Sequence, residues 1–216
     1  ASGSGKSTLL SRIWGSRSLG TAHLCIRTHD QQFTPSTMTP AHFAFLRSRL
    51  MSYVGQHPTV LPREKLVDWF ALVPVLDGLR LLDLSPSLLS RYACDVSGGE
   101  LQRFMLLHAY FSSPPILLLD EPCTGLDPER SHQVSTLLLQ AKAAQKLVIY
   151  TSHTSASWVD QSISLEVKPS TFNLTWKSTH NEKILLGSAL SVGCLNFVHA
   201  DTSVTLYGVL DVELRK

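Results

Sequence analysis

The chain has 216 residues, 44% of them hydrophobic, and a formal net charge of +2 at pH 7. This length fits one domain with at most a small addition, and the hydrophobic fraction is sufficient for a folded core. The near-neutral charge and the lack of a dense basic cluster argue against a nucleic-acid partner. Four scattered cysteines form no C-x-x-C pair, so we expect neither a zinc site nor a disulfide framework.

The first eight residues predict a phosphate-binding loop. Gly5-Lys6-Ser7 match the second half of the pattern G-x-x-x-x-G-K-[ST], whose first glycine would precede Ala1. Small residues let backbone N–H groups surround a phosphate chain, Lys6 adds a cation, and Ser7 offers a hydroxyl ligand for Mg²⁺. Residues 7–14 predict a short helix whose positive N-terminus faces the same anion. Taken alone, small residues before a lysine also occur in ordinary turns.

Strand-like and helix-like apolar patterns alternate along the following residues. The predicted strands are residues 22–27, 50–55, 116–119 and 147–151. The predicted helices are residues 39–49, 98–111 and 128–146. This alternation predicts an α/β fold of the P-loop type, with a mostly parallel sheet flanked by helices.

Residues 57–96 follow a different pattern, made of short helical pieces. Leu66 and Phe70 recur at helical spacing, Pro74 interrupts the run, and Ser85 followed by proline predicts another helix start. We therefore predict a small helical subdomain inserted into the α/β core.

The C-terminal part follows a two-residue period. Phe172, Leu174 and Trp176 alternate with polar residues, and Val204 and Leu206 repeat the pattern. We predict three parts: a core of residues 1–56 and 97–166 that carries the phosphate-binding loop, the helical insert 57–96, and a β-rich extension 167–216.

A second motif follows the predicted strand 116–119. Four consecutive aliphatic residues predict a central strand buried on both faces. Asp120 and Glu121 follow at its carboxyl end, where open α/β sheets place their ligands. One carboxylate suits a Mg²⁺ ion, and the other suits the activation of an attacking water. Taken alone, these two residues fit a solvated loop equally well.

A third motif lies at residues 96–103, with the sequence Val-Ser-Gly-Gly-Glu-Leu-Gln-Arg. Ser97 is a suitable helix N-cap, and Gly98 and Gly99 allow backbone N–H groups to approach a ligand closely. The helix behind them adds a positive dipole end, which predicts a second anion-binding helix N-terminus. A protein with two such sites binds two anions or shares one between two molecules.

These motifs resemble those of the ATP-binding cassette (ABC) ATPases. Residues 96–103 resemble the family signature L-S-G-G-Q-x-Q-R, with valine and Glu100 as mild departures. Asp120 and Glu121 resemble the Walker B pair of the same family.

Three further segments fit this resemblance. Gln56 resembles the Q-loop glutamine, residues 124–127 resemble the D-loop, and His153 resembles the switch histidine. The motifs keep the family order. The family's first strands, and the aromatic residue that stacks on adenine, are expected before Ala1.

The resemblance implies an enzyme that hydrolyses ATP with Mg²⁺ in a head-to-tail dimer, with two nucleotides held between the subunits. The implied nucleotide-binding residues are Ser2, Gly3, Ser4, Gly5, Lys6, Ser7 and Thr8. The implied Mg²⁺ ligands, direct or through water, are Ser7, Gln56 and Asp120. The implied catalytic residues are Glu121 as the base or water-orienting group, His153 as a γ-phosphate contact, and Gln56. The residues implied to contact the opposite subunit's ATP are Ser97, Gly98, Gly99 and Glu100, and Asp127 is implied to communicate across the dimer.

The resemblance also implies the nucleotide-binding subunit of a membrane transporter. Its partners would be a second ABC ATPase subunit, identical or different, and a separate integral-membrane permease; its place would be the cytoplasmic face of a membrane. No sustained heptads occur between the motifs, which argues against the long coiled coil expected of DNA-maintenance relatives. Two alternatives stay open: a soluble mechanochemical ATPase not coupled to transport, and an inactive truncated relative.

Overall fold

A computed structural model describes the chain in separate stretches. Residues 6–17, 38–57, 63–70 and 75–152 are described with their side chains. The backbone is described for residues 26–27, 32–33, 161–167, 172–178 and 193–198.

Helices and strands alternate through these stretches, as predicted. The α-helices are α1 (Lys6–Ile13), α2 (Pro40–Arg49), α3 (Val75–Leu81), α4 (Gly98–Phe111) and α5 (Pro128–Ala143). The strands are β1 (Ile26–Arg27), β2 (Gln32–Phe33), β3 (Met51–Val54), β4 (Ile116–Leu119), β5 (Leu147–Ser152), β6 (Gln161–Val167), β7 (Phe172–Ser178) and β8 (Gly193–Val198). No helix among the described residues is long and apolar enough to span a bilayer.

Strands β3 to β8 form one mixed sheet in the order β3-β4-β5-β8-β6-β7. The first three strands are parallel, with Met51 opposite Ile116 and Ile116 opposite Leu147. Strand β8 is antiparallel to both β5 and β6, and β6 is antiparallel to β7. The predicted parallel sheet is therefore confirmed for the central strands, and the C-terminal part continues the same sheet with antiparallel strands.

The side chains of the central strands alternate between two hydrophobic clusters, as a two-residue period requires. Ile116 and Leu118 of β4 belong to the cluster formed with α1 and α2. Leu117 and Leu119 belong to the cluster formed with α4, α5 and the helical insert. Both faces of β4 are therefore covered, which explains its uninterrupted aliphatic sequence.

The helix starts follow the capping signals of the sequence. Thr39, Ser97 and Asp127 are the N-caps of α2, α4 and α5, and each side chain accepts a hydrogen bond from a backbone N–H of the first turn. The predicted end of α5 at residue 146 is wrong, because the helix ends at Ala143. Gln145 adopts a positive φ of 62°, a left-handed conformation that terminates helices.

The described residues of the insert form α3 and three short 3-10 helices. These 3-10 helices are Leu66–Trp69, Pro86–Ser90 and Ala93–Asp95. Helix α3 packs closely on α4: a Cβ on Gly78 would lie 2.4 Å from Leu107 Cδ1. Buried residues of the insert share one hydrophobic cluster with α4, α5 and the sheet. The boundaries proposed for the three parts of the chain remain a prediction.

Two predicted strand segments are described only in part or lie outside the described residues. Of the predicted strand 22–27, the described part is β1, which pairs with β2 in a small separate sheet that the sequence did not predict. Strand β6 was not predicted either. The alternating segment around Val204 lies outside the described residues.

Candidate functional site

Four of the predicted site residues meet at the carboxyl ends of the parallel strands. Asp120 and Glu121 directly follow β4. Lys6, the first residue of α1, places its Nζ 3.7 Å from Glu121 Oε1. Gln56, two residues after β3, donates from Nε2 to Glu121 Oε2 over 3.5 Å. Because parallel strands present their carboxyl ends at one sheet edge, residues distant in sequence converge there.

Thr151 holds the two carboxylate residues in place. Its buried Oγ1 donates to Asp120 Oδ1 over 2.7 Å and accepts from the Glu121 backbone N over 2.8 Å. This threonine belongs to none of the sequence motifs with a predicted site role. The one feature of the sequence that could have indicated its role is a hydroxyl residue near the end of β5, the strand that pairs with β4.

Glu121 adopts an unusual backbone conformation. Its φ is +50°, a left-handed value that is uncommon for residues other than glycine. Gln102 Nε2 donates to its backbone carbonyl over 3.5 Å, and Thr124 Oγ1 donates to its Oε2 over 2.9 Å. Together with Thr151, these contacts hold a strained residue, an arrangement that is common at functional sites.

Lys6 and Glu121 form a largely buried ion pair. Their side chains are 4% and 11% exposed. Burial of an ion costs several kcal/mol in desolvation. Removal of one partner of such a pair therefore lowers the free energy of unfolding by about 3–5 kcal/mol, because it leaves a buried charge without its partner. The site therefore keeps a cation and a carboxylate close together at the N-terminus of α1.

The oxygen donors at this edge fit a magnesium ion. Ser7 lies exposed in the first turn of α1, and Asp120 is 4% exposed at the end of β4. The described residues contain no cluster of three or more His, Cys, Asp or Glu side chains that would form a complete metal cage. Mg²⁺ is usually held by one or two carboxylates together with water and substrate phosphates, so the donor set of Ser7, Gln56 and Asp120 suits it.

A second predicted group surrounds the N-terminus of α4. Ser97 Oγ donates to Glu100 Oε2 over 2.6 Å, and Glu100 Oε2 also accepts from Ser97 N over 3.1 Å. These hydrogen bonds lower the pKa of Glu100 and keep its side chain ionised. The result is a complete capping box.

Gly98 and Gly99 leave open space in front of this helix. A Cβ on either glycine would meet no atom of the described residues within 4 Å. Packing inside the described part of the chain therefore does not require glycine at these two positions. The small residues leave room for a ligand or another molecule to approach the helix N-terminus.

A cavity of about 970 Å³ lies beside the same helix end. Residues that line it include Ser97, Gly99, Glu100, Arg103, Asp127 and Arg130. The lining does not include the first group of site residues, Lys6, Gln56, Asp120 and Glu121. The described site residues therefore form two separate groups, one at the sheet edge and one at the N-terminus of α4. Ser2, Gly3, Ser4, Gly5 and His153 lie outside the described residues.

The sequence of this chain is similar to those of known transport proteins. A family model described as ABC transporter matches residues 1–124. A molybdenum import ATP-binding protein, ModC of Aromatoleum aromaticum, is 31% identical over 160 residues, which are 70% of this chain and 42% of that protein. A thiamine import ATP-binding protein, ThiQ of Yersinia pseudotuberculosis, is 30% identical over 156 residues, which are 68% of this chain and 64% of that protein. The chain thus spans less than two thirds of the length of these relatives.

Solved structures show the same fold. The dimeric structure of MJ0796, a bacterial ABC transporter cassette, matches with a TM-score of 0.57 and 20% identity, over 69% of this chain and 77% of that one. A dimeric post-hydrolysis state of the same cassette with ADP and Pi matches with a TM-score of 0.53 and 19% identity, over the same shares of the two chains. Because the family model covers more than half of the sequence, the chain belongs to the ABC transporter family.

Proposed function

We propose that this chain binds and hydrolyses ATP as the nucleotide-binding subunit of a membrane transporter. The observation that carries the proposal is the meeting of Lys6, Gln56, Asp120 and Glu121 at the carboxyl ends of β3 and β4. A cation, an amide and two carboxylates at one sheet edge beside a helix N-terminus match the requirements of phosphoryl transfer to water.

Each of these side chains has a distinct role in the proposed reaction. Lys6 stabilises negative charge on the β and γ phosphates, together with the backbone N–H groups of residues 3–5. Glu121 orients the attacking water and accepts its proton as the water oxygen bonds to the γ phosphorus. The bond from that phosphorus to the bridging oxygen breaks, which leaves ADP and phosphate. Gln56, which contacts Glu121, helps to fix the position of the water.

Ser7, Gln56 and Asp120 would hold Mg²⁺ at this edge, directly or through water. When bound, the ion neutralises charge on the phosphate oxygens. Asp120 is suited to this role because the hydroxyl of Thr151 donates to its Oδ1 and so fixes the orientation of the carboxylate. His153 is proposed to contact the γ phosphate.

The open helix N-terminus at Ser97 supports a dimer as the active form. In this proposal Ser97, Gly98, Gly99 and Glu100 close over the γ phosphate bound by the opposite subunit, and Asp127 lies in the interface. The room in front of Gly98 and Gly99 fits such an approach. The second subunit is a copy of this chain or a related ATPase.

The transport role rests on the relatives. The matched proteins are named as import ATP-binding proteins for molybdenum and for thiamine. We therefore propose that a separate membrane-spanning permease binds this chain at the cytoplasmic face of a membrane. Loss of the γ phosphate would release the dimer and so couple hydrolysis to a mechanical cycle.

Replacement of one carboxylate tests the proposed activity. In Glu121→Gln we expect phosphate release to fall by about 10²-fold or more, because the water loses its base. ATP binding, measured by calorimetry, is retained. The matched control is Glu129→Gln, which changes an exposed carboxylate in the first turn of α5 and leaves hydrolysis unchanged.

Three results would each contradict part of the proposal. Unchanged phosphate release in Glu121→Gln would contradict the proposed role of Glu121 as the residue that orients and deprotonates the water. Absence of both ATP binding and hydrolysis in the unaltered chain would favour the inactive relative. Activity in complex with a soluble assembly, and with no membrane partner, would favour the mechanochemical ATPase.

A further inference from the structure

Arg130 connects two parts of the molecule that are distant in sequence. It lies in the first turn of α5, and its Nη1 donates to Asp127 Oδ2 over 2.8 Å. Its Nη2 lies 3.6 Å from Oδ2 of Asp83, which belongs to the helical insert. One guanidinium therefore spans the Asp127 turn and the insert, a geometry that suits the planar fork of arginine.

Arg130 also contacts Asp127 through its backbone. Its N–H donates to Asp127 Oδ1 over 2.8 Å, so each carboxylate oxygen of Asp127 accepts from the same residue. These hydrogen bonds lower the pKa of Asp127, which remains ionised. The orientation of the Asp127 carboxylate thus depends directly on the position of Arg130.

Asp83 occupies a defined position at the end of α3. Its φ is +52°, and the next residue, Leu84, donates from its backbone N to Leu79 O over 2.8 Å. This left-handed turn ends the helix and directs the chain onward. Leu84 and Leu79 are both buried in the shared cluster. The backbone at Asp83 is therefore held in place by the hydrogen bond and the buried side chains of Leu79 and Leu84.

The contacts contribute little to overall stability. Arg130 is 44% exposed, Asp83 is 64% exposed and Asp127 is 45% exposed. Exposed ion pairs change folding equilibria by about five-fold at most. The observed effect of the network is instead the orientation of the Asp127 carboxylate, both oxygens of which accept from Arg130.

We infer that Arg130 is a positioning residue that ties the helical insert, through Asp83, to the carboxylate of Asp127. Movement of the insert relative to the core changes the position of Asp127 through this bridge. Under the proposed function, on which this consequence rests, Asp127 lies at the dimer interface. Arg130 then links the insert to the proposed nucleotide interface, in addition to the hydrophobic packing that the insert shares with α5.

The bridge is testable without nucleotide, by amide hydrogen exchange on the whole chain. Asp83→Asn removes the charge of the insert's carboxylate, and asparagine tolerates the left-handed backbone. We expect the N–H groups of Leu126 and Arg130 to exchange about two- to five-fold faster in this variant. The matched control is Asp77→Asn, because Asp77 is another exposed carboxylate of the insert but pairs with Arg80 of its own helix, α3.

The results separate positioning from a general structural role. Faster exchange at Leu126 and Arg130 in Asp83→Asn, with no change in Asp77→Asn, supports the bridge. In the double variant Asp83→Asn/Arg130→Gln, exchange should be no faster than in Arg130→Gln alone, since both changes break one network. Unchanged exchange in Asp83→Asn, or an equal increase in Asp77→Asn, overturns the inference.

Salt provides an independent check of the same bridge. At about 1 M salt the screening length is about 3 Å, so exposed ion pairs are weakened. Exchange at Leu126 and Arg130 in the unaltered chain should then approach that of Asp83→Asn at low salt. A difference between the two proteins that persists undiminished at high salt contradicts an electrostatic bridge.

A last measurement links the bridge to the proposed function. In a Glu121→Gln background we expect Asp83→Asn to change the ATP concentration for half-maximal dimerisation by two- to five-fold, by light scattering, and Asp77→Asn to leave it unchanged. No shift in Asp83→Asn overturns the link to the interface. If the unaltered chain binds no ATP, the proposed function fails, while the exchange experiment still decides the bridge itself.

Discussion

At the scale of single residues, the site depends on side chains that position the reacting groups. Thr151 carries no charge, yet its hydroxyl orients the carboxylate of Asp120 and fixes the backbone of Glu121. Both of its hydrogen bonds are shielded from solvent, because its side chain is fully buried. In such a place a lost hydrogen bond costs more than at the surface.

Thr151→Val tests this role. Valine has nearly the same shape, but it leaves Asp120 Oδ1 and the Glu121 N–H without their shared partner. We expect the free energy of unfolding to fall by about 1–3 kcal/mol, measured by urea denaturation. The control Thr136→Val removes a half-buried hydroxyl of α5 that donates to the carbonyl of His132 in the same helix, and should stay within about 0.5 kcal/mol. Equal stabilities of Thr151→Val and the unaltered protein would contradict the role of the hydroxyl.

At the scale of elements, helix starts are set by local chemistry. Ser97 and Glu100 satisfy each other's groups at the N-terminus of α4, and the sequence alone predicts this start. The segment that follows α5 depends on contacts that are distant in sequence. Lys146 Nζ donates to the backbone carbonyls of Ser112 and, over 3.0 Å, Pro114. These acceptors lie far away in sequence, so a local pattern does not reveal them.

Removal of the α4 cap gives a prediction at this scale. Ser97→Ala eliminates the acceptor for Glu100 N, and we expect a loss of about 1 kcal/mol in the free energy of unfolding. The control Ser135→Ala changes a serine inside α5, where alanine is at least as good a helix former. Thermal unfolding of both variants provides the measurement, and an equal effect in the two would argue against the capping contribution.

At the scale of the whole molecule, the insert and the α/β core share one hydrophobic cluster. The contact includes His108 of α4, whose ring centre lies 5.5 Å from that of Trp69 and 5.6 Å from that of Phe70. Phe104 lies beside both aromatic residues and is fully buried. Since the elements are packed together, we expect the described helices and central strands to unfold as one cooperative unit.

The pH dependence of unfolding tests this packing. Burial lowers the pKa of His108, and a backbone hydrogen bond with Trp69 partly opposes the effect. The unfolded chain therefore binds a proton at His108 more readily than the folded chain does. The stability associated with this group is present above the unfolded pKa of about 6.5 and is lost as the pH falls toward the lower folded value.

We expect the free energy of unfolding to fall less between pH 7.5 and pH 5.5 in His108→Gln than in the unaltered protein. Urea denaturation at the two pH values measures the difference. The control His132→Gln replaces an exposed histidine of α5 and should retain the original pH dependence. A His108→Gln variant with the same pH dependence as the unaltered protein would show that His108 does not titrate differently on folding.

The sequence by itself determined the fold class, the starts of α2, α4 and α5, and the identity of the candidate site residues. Periodicity, capping residues and short motifs are local properties of the sequence. Examples are Ser97 as the N-cap of α4, Pro128 in the first turn of α5, and the aliphatic run of β4. Only the tertiary structure decided that Thr151 orients Asp120, that Arg130 reaches Asp83, and that the C-terminal strands join the central sheet. These relationships join residues far apart in the chain, and they arise from strand register and helix packing, which no local pattern specifies.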